Sequence, residues 1–488
     1  MRVWAWGDKI DGRWRVKYLY GASVNGIQDF IFKTNQLQEI VGAREIVKGI
    51  EKEFEKISDY KEGDSHILLN AAGNIKAIFD DKTKLEKVVL EFPKIIMQKA
   101  YGITISQAVV KMEGKFTEQE KALKELEERL KTQRNKPSIP LDLSINIMEL
   151  APKTARPLFK IDEHNNKLGM ASFIKREANK KFYKDNPRNK EFVDISEFSN
   201  GKNKIAVVHI DGNGLGQIVP KLKDKLSSFS KKLGDATKKA FDDSRDYTMD
   251  IREIILGGDD VTVICNANNA LGFTKNFLDN FEKETSQITE LKDVGFEKLT
   301  ACAGIAFCNE KYPFHYAVSL AEALCGATKK HAKAINKDLA PSSLMFHNIQ
   351  SSNFQSWEKF VEDELTITND KETIGCDFGP YYLNEERQPS IQDFLHTVEA
   401  YRCEGSPITR LREWIGELHK SQIYADNLLK RINEMAAQNS KWNSCIMDKN
   451  LKQFKPELSN ENLIIEKDGF KKTPIYDVLQ ILSVTEAK

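Results

Sequence analysis

"EIILGGDDVTVIC", residues 253–265, decides how this chain is read. Two β-rich apolar runs flank Gly257, Gly258, Asp259 and Asp260, the pattern of a hairpin about a tight glycine turn. Just upstream, "KIAVVHIDG" (204–212) reads as a strand that ends on Asp211. Between strand and hairpin, residues 217–241 form an amphipathic helical stretch with Leu222, Leu226, Phe229 and Leu233 on one face. A helix (270–288), a strand (299–308) and another helix (314–333) follow. The same order occurs earlier. "YLYGASV" (18–24) is a strand, 26–32 and 37–54 are helical, and "HILLNAAGNIKAIF" (66–79) is a hairpin about Ala71-Ala72-Gly73-Asn74. A helix (82–100), a strand (103–112) and a charged helix (117–133) complete that block. The chain thus contains an internal duplication of element order, not of residue identity.

Strand, helix, hairpin, helix, strand is the ferredoxin-like βαββαβ arrangement, so the fold class is α+β with two such domains. The expected division is 1–150, a first domain; 151–200, an irregular and locally basic linker; 201–340, a second domain; and 341–488, a mostly helical region. There Ile408, Leu411, Ile415 and Leu418 make the clearest stripe, and 474–482 reads as a short last helix. Each sheet is expected to carry helices on one face and leave the other open for a cleft. Asp211 then stands beside the turn that carries Asp259 and Asp260.

Composition narrows the possibilities. With 488 residues the chain exceeds one ordinary core. Its 73 Lys and Arg against 72 Asp and Glu leave a net charge of +1, so nucleic acid finds no global field and must use a local patch. The basic stretch 175–190, with Phe182 and Tyr183 interleaved, is the one candidate for RNA contact; a solvated linker explains it equally well. No apolar run is long enough to span a bilayer, and the N-terminus lacks a signal-peptide pattern, which leads to a cytoplasmic expectation. Seven cysteines without a CxxC pair read as reduced thiols, with Cys302, Cys308 and Cys325 in the core. No histidine pattern suggests zinc. His209 shares a strand face with Asp211 and is expected to be a satisfied structural histidine. Tyr381 and Tyr382 are expected to pack.

Three crowded carboxylates repel one another and raise each other's pKa, a conflict that a divalent cation removes. Hard oxygen ligands favour Mg²⁺ or Mn²⁺, and a pair of such ions suits attack by a hydroxyl with a pyrophosphate leaving group. "GNGLG" (Gly212, Asn213, Gly214, Leu215, Gly216) offers backbone amides at a helix N-terminus for phosphate. Gly257 and Gly258 let a nucleotide approach the turn, and Lys329 or Lys330 reaches a triphosphate from the last helix.

"GGDDVTVI", "IDGNGLG" and residues 304–333 resemble the palm polymerase domain shared by GGDEF cyclases and the large subunit of type III CRISPR effector complexes (Csm and Cmr). "SVNGIQDFIFKTNQLQEIVGAREIV" (23–47) resembles the first palm of the CRISPR subunit and decides between them. "SSLMFHNIQSS" (342–352) and "GSPITRLREWIGEL" (405–418) resemble the parts that follow its catalytic palm. The resemblance implies two palms that hold two ATP molecules, with metal only in the second. It implies an enzyme that joins ATP by 3′–5′ bonds into cyclic oligoadenylates, switched on when a guide-RNA ribonucleoprotein captures target RNA. Carried over by motif, Asp211, Asp259 and Asp260 are the metal carboxylates, with Gly212 beside them, and Lys329 is the phosphate-facing lysine. Residues 71–74 occupy the GGDD place without acids, so the first palm holds nucleotide and does not catalyse.

The departures are informative. The first palm starts near residue 15, so the HD-type nuclease of many relatives is expected to be absent. Residues 154–182 carry none of the cysteines of the family's zinc module, so no zinc is expected. Asn213 stands at the second acid of the family's DxD. The sequence also admits two other readings. One is a cyclic dinucleotide cyclase, or a transferase with an acceptor other than ATP. The other is a catalytically idle scaffold of an RNA-guided complex.

Overall fold

The computed structural model describes residues 9–10, 13–14, 16–61, 64–71, 73–112, 116–136, 145, 147–186, 194–222, 225–246, 249–350, 356–368, 373–438, 442 and 444–486. Two compact units divide the chain, one of Met1–Ile195 with Asp224–Ser228, the other of Ser196–Lys223 with Phe229–Lys488.

The first unit opens with a short pair, β1 (Lys9–Ile10) and β2 (Arg13–Trp14). Its ferredoxin-like part runs β3 (Lys17–Asn25), α1 (Ile27–Phe32), α2 (Leu37–Ser58), β4 (Ile67–Ala71), β5 (Asn74–Phe79), α3 (Lys82–Lys99), β6 (Thr104–Met112) and α4 (Phe116–Arg134). The antiparallel sheet has the order β4-β5-β3-β6. Tyr20 stacks on Phe54 and meets Phe79 edge-on, and Phe54 meets Phe92 edge-on, all four rings fully buried.

The segment 151–200 is not the irregular linker that its polarity suggested. After β7 (Leu150–Ala151) come a ribbon, β8 (Arg156–Ile161) and β9 (Lys167–Gly169), and a helix, α5 (Met170–Asp185), which packs on α2. Charge pairing makes the difference. Glu39 of α2 accepts from Ser172 (3.1 Å) and Arg176 (3.1 Å), and Arg176 also pairs with Asp162 at 2.8 Å. Lys175 is buried, donates to the Phe30 carbonyl and lies over the Phe30 ring. Two of the seven basic residues proposed for RNA therefore hold the protein together, and Tyr183 is buried as well. Residues 187–190 of that patch lie outside the described residues.

The two helices touch at Gly42, where an added Cβ would stand 1.7 Å from the Lys175 carbonyl oxygen. Gly42→Ala is expected to destabilise the first unit by on the order of 3 kcal/mol, since backbone must move to admit the methyl. Limited proteolysis then cuts residues 156–185 faster than in the wild type; an unchanged rate would contradict the packing.

The second unit repeats the plan as β10 (Lys204–Gly212), α6 (Leu215–Leu222), α7 (Leu226–Ser244), β11 (Ile251–Gly257), β12 (Asp260–Asn266), α8 (Ala270–Thr285), α9 (Thr289–Asp293), β13 (Ala301–Asn309) and α10 (Phe314–Ile335). Its sheet begins with the same order, β11-β12-β10-β13. The duplication extends to register. Each hairpin carries a bulge at the same place, between Ile67 and Leu69 and between Glu253 and Ile255. Both sheets are therefore ferredoxin-like.

One expectation fails at the centre of the second sheet. Ile205 through Ile210 are all buried, so β10 is covered on both faces and has no open side. α8 packs on β10 and β13 with its Phe273 edge-on to Phe241 of α7 (5.7 Å). α10 lies over β10 and β13, with Gly304 under its backbone. The helix after the last strand, an addition to the βαββαβ core, closes the face that the core alone leaves bare.

The region after 340 is less helical than its stripes suggested. β14 (Ser343–Asn348) joins β13 in parallel. Then follow α11 (Trp357–Glu364), β15 (Thr366–Thr368), β16 (Thr373–Gly375) and β17 (Tyr381–Tyr382), which pairs with β14. Helices α12 (Ile391–Ala400), α13 (Ile408–Leu418), α14 (Gln422–Gln438) and α15 (Ser444–Phe454) lead to β18 (Ile465–Lys467), β19 (Phe470–Lys472) and α16 (Ile475–Val484). β15, β16, β19 and β18 make a small sheet of their own. All six residues of β14 are buried, and a short apolar run covered on both faces shows no period that separates strand from helix. Leu411, Trp414 and Leu418 are the buried stripe of α13. Cys302, Cys308 and Cys325 are core residues, as expected, and so are Tyr381 and Tyr382. No helix among the described residues is long and apolar enough to cross a membrane.

Candidate functional site

The hairpin turn is short because Gly257 pairs with Asp260, which leaves Gly258 and Asp259 as its corner. Gly258 has φ +62°, a left-handed conformation that glycine adopts without strain, and its carbonyl accepts from Thr237 of α7 at 2.5 Å. Asp260 is thus the first residue of β12, not part of the corner. Its direct neighbour across the sheet is Asp211. Gly212 donates its N–H to the Asp259 carbonyl (3.1 Å), and an added Cβ at Gly212 would stand 2.6 Å from the Asp259 Cβ. Two strand ends and one tight turn therefore bring Asp211, Asp259 and Asp260 together.

Crowding shows in their acidity. Burial and then repulsion from Asp211 push the Asp259 carboxyl up to about 6. Burial, then Asp211, Asp259 and Glu322, push Asp260 up to about 7. The Asp260 side chain is 42% exposed as a whole, yet its Oδ1 is buried and has no hydrogen-bond partner. His209 behaves as expected, hydrogen-bonded to Thr262 at 3.0 Å, and burial holds it down at about 4, so it stays neutral near pH 7.

Lys329 completes the group. Its ammonium donates to Asp211 Oδ2 at 2.6 Å and to the Gly212 carbonyl at 2.7 Å. Lys330, the next residue round α10 by about 100°, is exposed. Gly214 has φ +85° and precedes α6, whose first turn is closed by Gln217 and Ile218 donating to the Gly214 carbonyl. The amides of Gly214, Leu215 and Gly216 are left for the space ahead of that helix, and Gly216 and Gly257 face open space. Asn213 does not join them. It is 0% exposed, its N–H donates to Thr300, and its Nδ2 lies within donating distance of Thr300 Oγ1 (3.2 Å), Cys302 Sγ (3.4 Å) and the Ala340 carbonyl (3.1 Å).

The donors fit a hard divalent cation: carboxylates and one peptide carbonyl, with a buried carboxylate oxygen that has no hydrogen bond. In the conformation described, however, no three His, Cys, Asp or Glu side chains among the described residues are gathered as an ion site. The positive charge at the site is Lys329.

Register places a neutral copy of this group in the first unit. Ser23 pairs with Asn74 as Asp211 pairs with Asp260, and Val24 donates to Gly73 as Gly212 donates to Asp259. Ser23 donates to Asn74 Oδ1 at 3.0 Å, and Asn25 Nδ2 donates to Ser106 at 2.8 Å where Asn213 meets Cys302. Residues 71–74 thus match GGDD position for position, with Ala72 outside the described residues.

Comparison with known proteins agrees with this geometry. Residues 204–339 match the family described as Cas10/Cmr2, second palm domain. That segment is similar to the second palm of Cas10 proteins. Among solved structures, a Csm1–Csm4 cassette in complex with AMPPNP superposes with a TM-score of 0.54 at 13% identity, covering 96% of this chain and 70% of that one. The same kind of cassette in complex with cA4 gives 0.51 at 12%, covering 97% and 70%. Csm1 in T.onnurineus gives 0.50 at 14%, covering 98% and 71%. At such identities the likeness is one of fold. No curated protein matches the sequence.

Within the Cas10-like palm, three contributors escaped the sequence reading. Glu322 lies on α10 seven residues before Lys329, about two turns away and on the same side, a spacing that was legible in the sequence. Gly304, inside "ACAGIAFC", marks the close approach of α10, as a glycine within a strand often does. Thr237 carried no local signal at all. Asn213, at the place of a family acid, is held where an amide is needed. Asn213→Asp is expected to destabilise the unit by about 1–3 kcal/mol, because a buried carboxylate cannot donate to the Ala340 carbonyl. Denaturant unfolding measures the loss; a variant as stable as wild type would mean the side chain turns out toward the acids.

Proposed function

We propose that the chain is a metal-dependent nucleotidyltransferase that joins ATP by 3′–5′ bonds into cyclic oligoadenylates within type III CRISPR defence. The observation that carries this reading is the Asp211–Asp260 pair, locked in register beside the Asp259 turn, inside a Cas10-type second palm. Fold relatives solved with AMPPNP, cA3 and cA4 support the nucleotide and the product class for those proteins. Csm4, bound to such a relative, suggests the kind of subunit that this chain would meet, in an assembly with guide and target RNA.

Asp211, Asp259, Asp260 and the Gly212 carbonyl would hold Mg²⁺ or Mn²⁺, which when bound favours the attacking 3′-hydroxylate and the leaving pyrophosphate. Each protein group then has a task. Lys329 and the amides of Gly214, Leu215 and Gly216 take the triphosphate, by charge and by helix-terminal donors. Gly257 and Gly258 leave the turn without side chains, so that the α-phosphate reaches the carboxylates. Thr237 keeps the turn from moving under that load. The side chain of Lys330 is free to meet the outer phosphates from solvent. In the first unit, Ser23, Asn25, Asn74 and Ser106 present neutral donors and acceptors, chemistry that suits holding a nucleotide and gives no anchor for a cation.

Pyrophosphate release from ATP, followed with Mg²⁺ and with Mn²⁺, tests the reading. Release that requires the metal, and that UTP and CTP do not support, is the expected result. A chain that binds ATP but releases nothing in either metal, alone or with its RNA-guided complex, would be a scaffold.

A further inference from the structure

We propose that Lys329 is a built-in stand-in for the metal, so that the site takes up a divalent cation together with a triphosphate and only poorly without one. This rests on the reading of the second palm given above and adds an order of events to it.

Among the described residues the ammonium of Lys329 donates to two groups, both of them assigned to the metal: Asp211 Oδ2 at 2.6 Å and the Gly212 carbonyl at 2.7 Å. A cation, this ammonium, already sits at the end of β10. The other two acids, Asp259 and Asp260, stand next to it without an ion-site arrangement among the described residues. Exposure fits an exchange. The Lys329 side chain is 21% exposed and Asp211 39%, so the pair sits at the mouth of the site and not in the core. Both side chains reach solvent, and the close contact that seats α10 on the sheet is made by Ala321 and Cys325 at Gly304, not by Lys329.

Charge explains the consequence. An incoming divalent ion meets three carboxylates already offset by one ammonium and repels that ammonium at close range. A nucleotide changes the balance. Its triphosphate offers Lys329 a new anionic partner, which releases Asp211 and the Gly212 carbonyl. For Lys329, one charge-assisted hydrogen bond to carboxylate becomes one to phosphate oxygen. Without a nucleotide, the lysine keeps three mutually repelling acids tolerable at the end of β10.

Mn²⁺ binding to the full chain, read by electron paramagnetic resonance with no nucleotide present, tests the proposal. Lys329→Met is expected to bind Mn²⁺ about tenfold more tightly than wild type, since the competing charge is gone. Adding Asp259→Asn and Asp260→Asn to that variant is expected to abolish the gain, which assigns it to this site. Lys329→Arg keeps a cation and is expected to stay weak, and Lys329→Gln repeats the neutral case should the Met variant melt at a lower temperature. Equal affinity in wild type and both neutral variants would overturn the proposal, as would a gain that survives loss of Asp259 and Asp260. A separate arm with a non-hydrolysable ATP analogue separates the two ideas. If wild type with the analogue takes up no Mn²⁺ that depends on Asp259 and Asp260, the transferase reading fails, whatever Lys329→Met does alone.

Discussion

Replacing Asp259 and Asp260 together by Asn is expected to abolish the proposed pyrophosphate release from ATP and to raise the melting temperature of the metal-free protein at pH 8. The first effect, on the order of 10³-fold or more, follows from removing two of the three carboxylates that would hold ions to stabilise developing charge. The second separates this site from a structural one. Both carboxyls have folded pKa values above the unfolded value near 3.9, at about 6 and about 7. A raised carboxyl favours the folded state below the unfolded pKa and loses that advantage as pH rises through the folded one. From about pH 4 to pH 7 the wild type therefore gives up stability that the Asn pair does not. Below about pH 4 the two proteins should melt close together, and at pH 8 the variant should melt higher. Water that reaches the partly exposed Asp260 side chain, 42% accessible, screens part of this gap. A variant that melts lower than wild type at pH 8 would mean that the acids support the hairpin and that their proximity is not a functional strain.

Gly304→Ala has the second large effect, and it acts without touching the acids. A Cβ at this place would stand 2.0 Å from the Ala321 carbonyl oxygen and 2.5 Å from the Cys325 amide nitrogen, both backbone atoms of α10. The helix must lift from β13, at a cost of about 3 kcal/mol by the usual measure of overpacking. Lys329 rides on the last turns of the same helix, so activity falls along with stability while Asp211, Asp259 and Asp260 remain in place. Gly326→Ala is the control on that helix. Its added Cβ meets nothing within 4 Å, and alanine in a helix interior is expected to stabilise by about 0.5–1 kcal/mol. Thermal melts of the two variants side by side check the contrast. Similar melting temperatures for both would show that α10 is not seated on Gly304 as described.

The parts of the molecule that could be read in advance share a physical cause. Strand β10 ends on Asp211, and the hairpin returns Asp260 beside it, because a ferredoxin-like order leaves a central strand next to its hairpin. Local turn chemistry and element order suffice for that. The match of Ala71–Asn74 to GGDD was legible for the same reason, since a two-residue corner fixes register from both sides. What escaped depends on contacts distant in sequence. Glu39 and Arg176 are far apart along the chain, and nothing near either one announces that they pair and turn a polar stretch into a packed helix. Asn213 looked like part of a phosphate loop, yet its amide is used by Thr300, Cys302 and Ala340 from a strand and a loop that only tertiary structure brings near. β14 hid because it is buried on both faces, which erases the alternation that reveals a strand. Lys329 was expected to face phosphate, and its contact with Asp211 follows from the length of α10 and the seat of that helix on Gly304.

The most direct measurement of the central claim is the identity of what the purified chain makes from ATP and Mn²⁺, read by liquid chromatography and mass spectrometry, with a 3′–5′-specific nuclease applied to the product. The account predicts oligoadenylates with masses of ATP units less pyrophosphate, cut by the nuclease, and missing when Asp259 and Asp260 are Asn. Oligoadenylates made equally well by that variant would contradict it, because the acids of the second palm would then have no part in the chemistry.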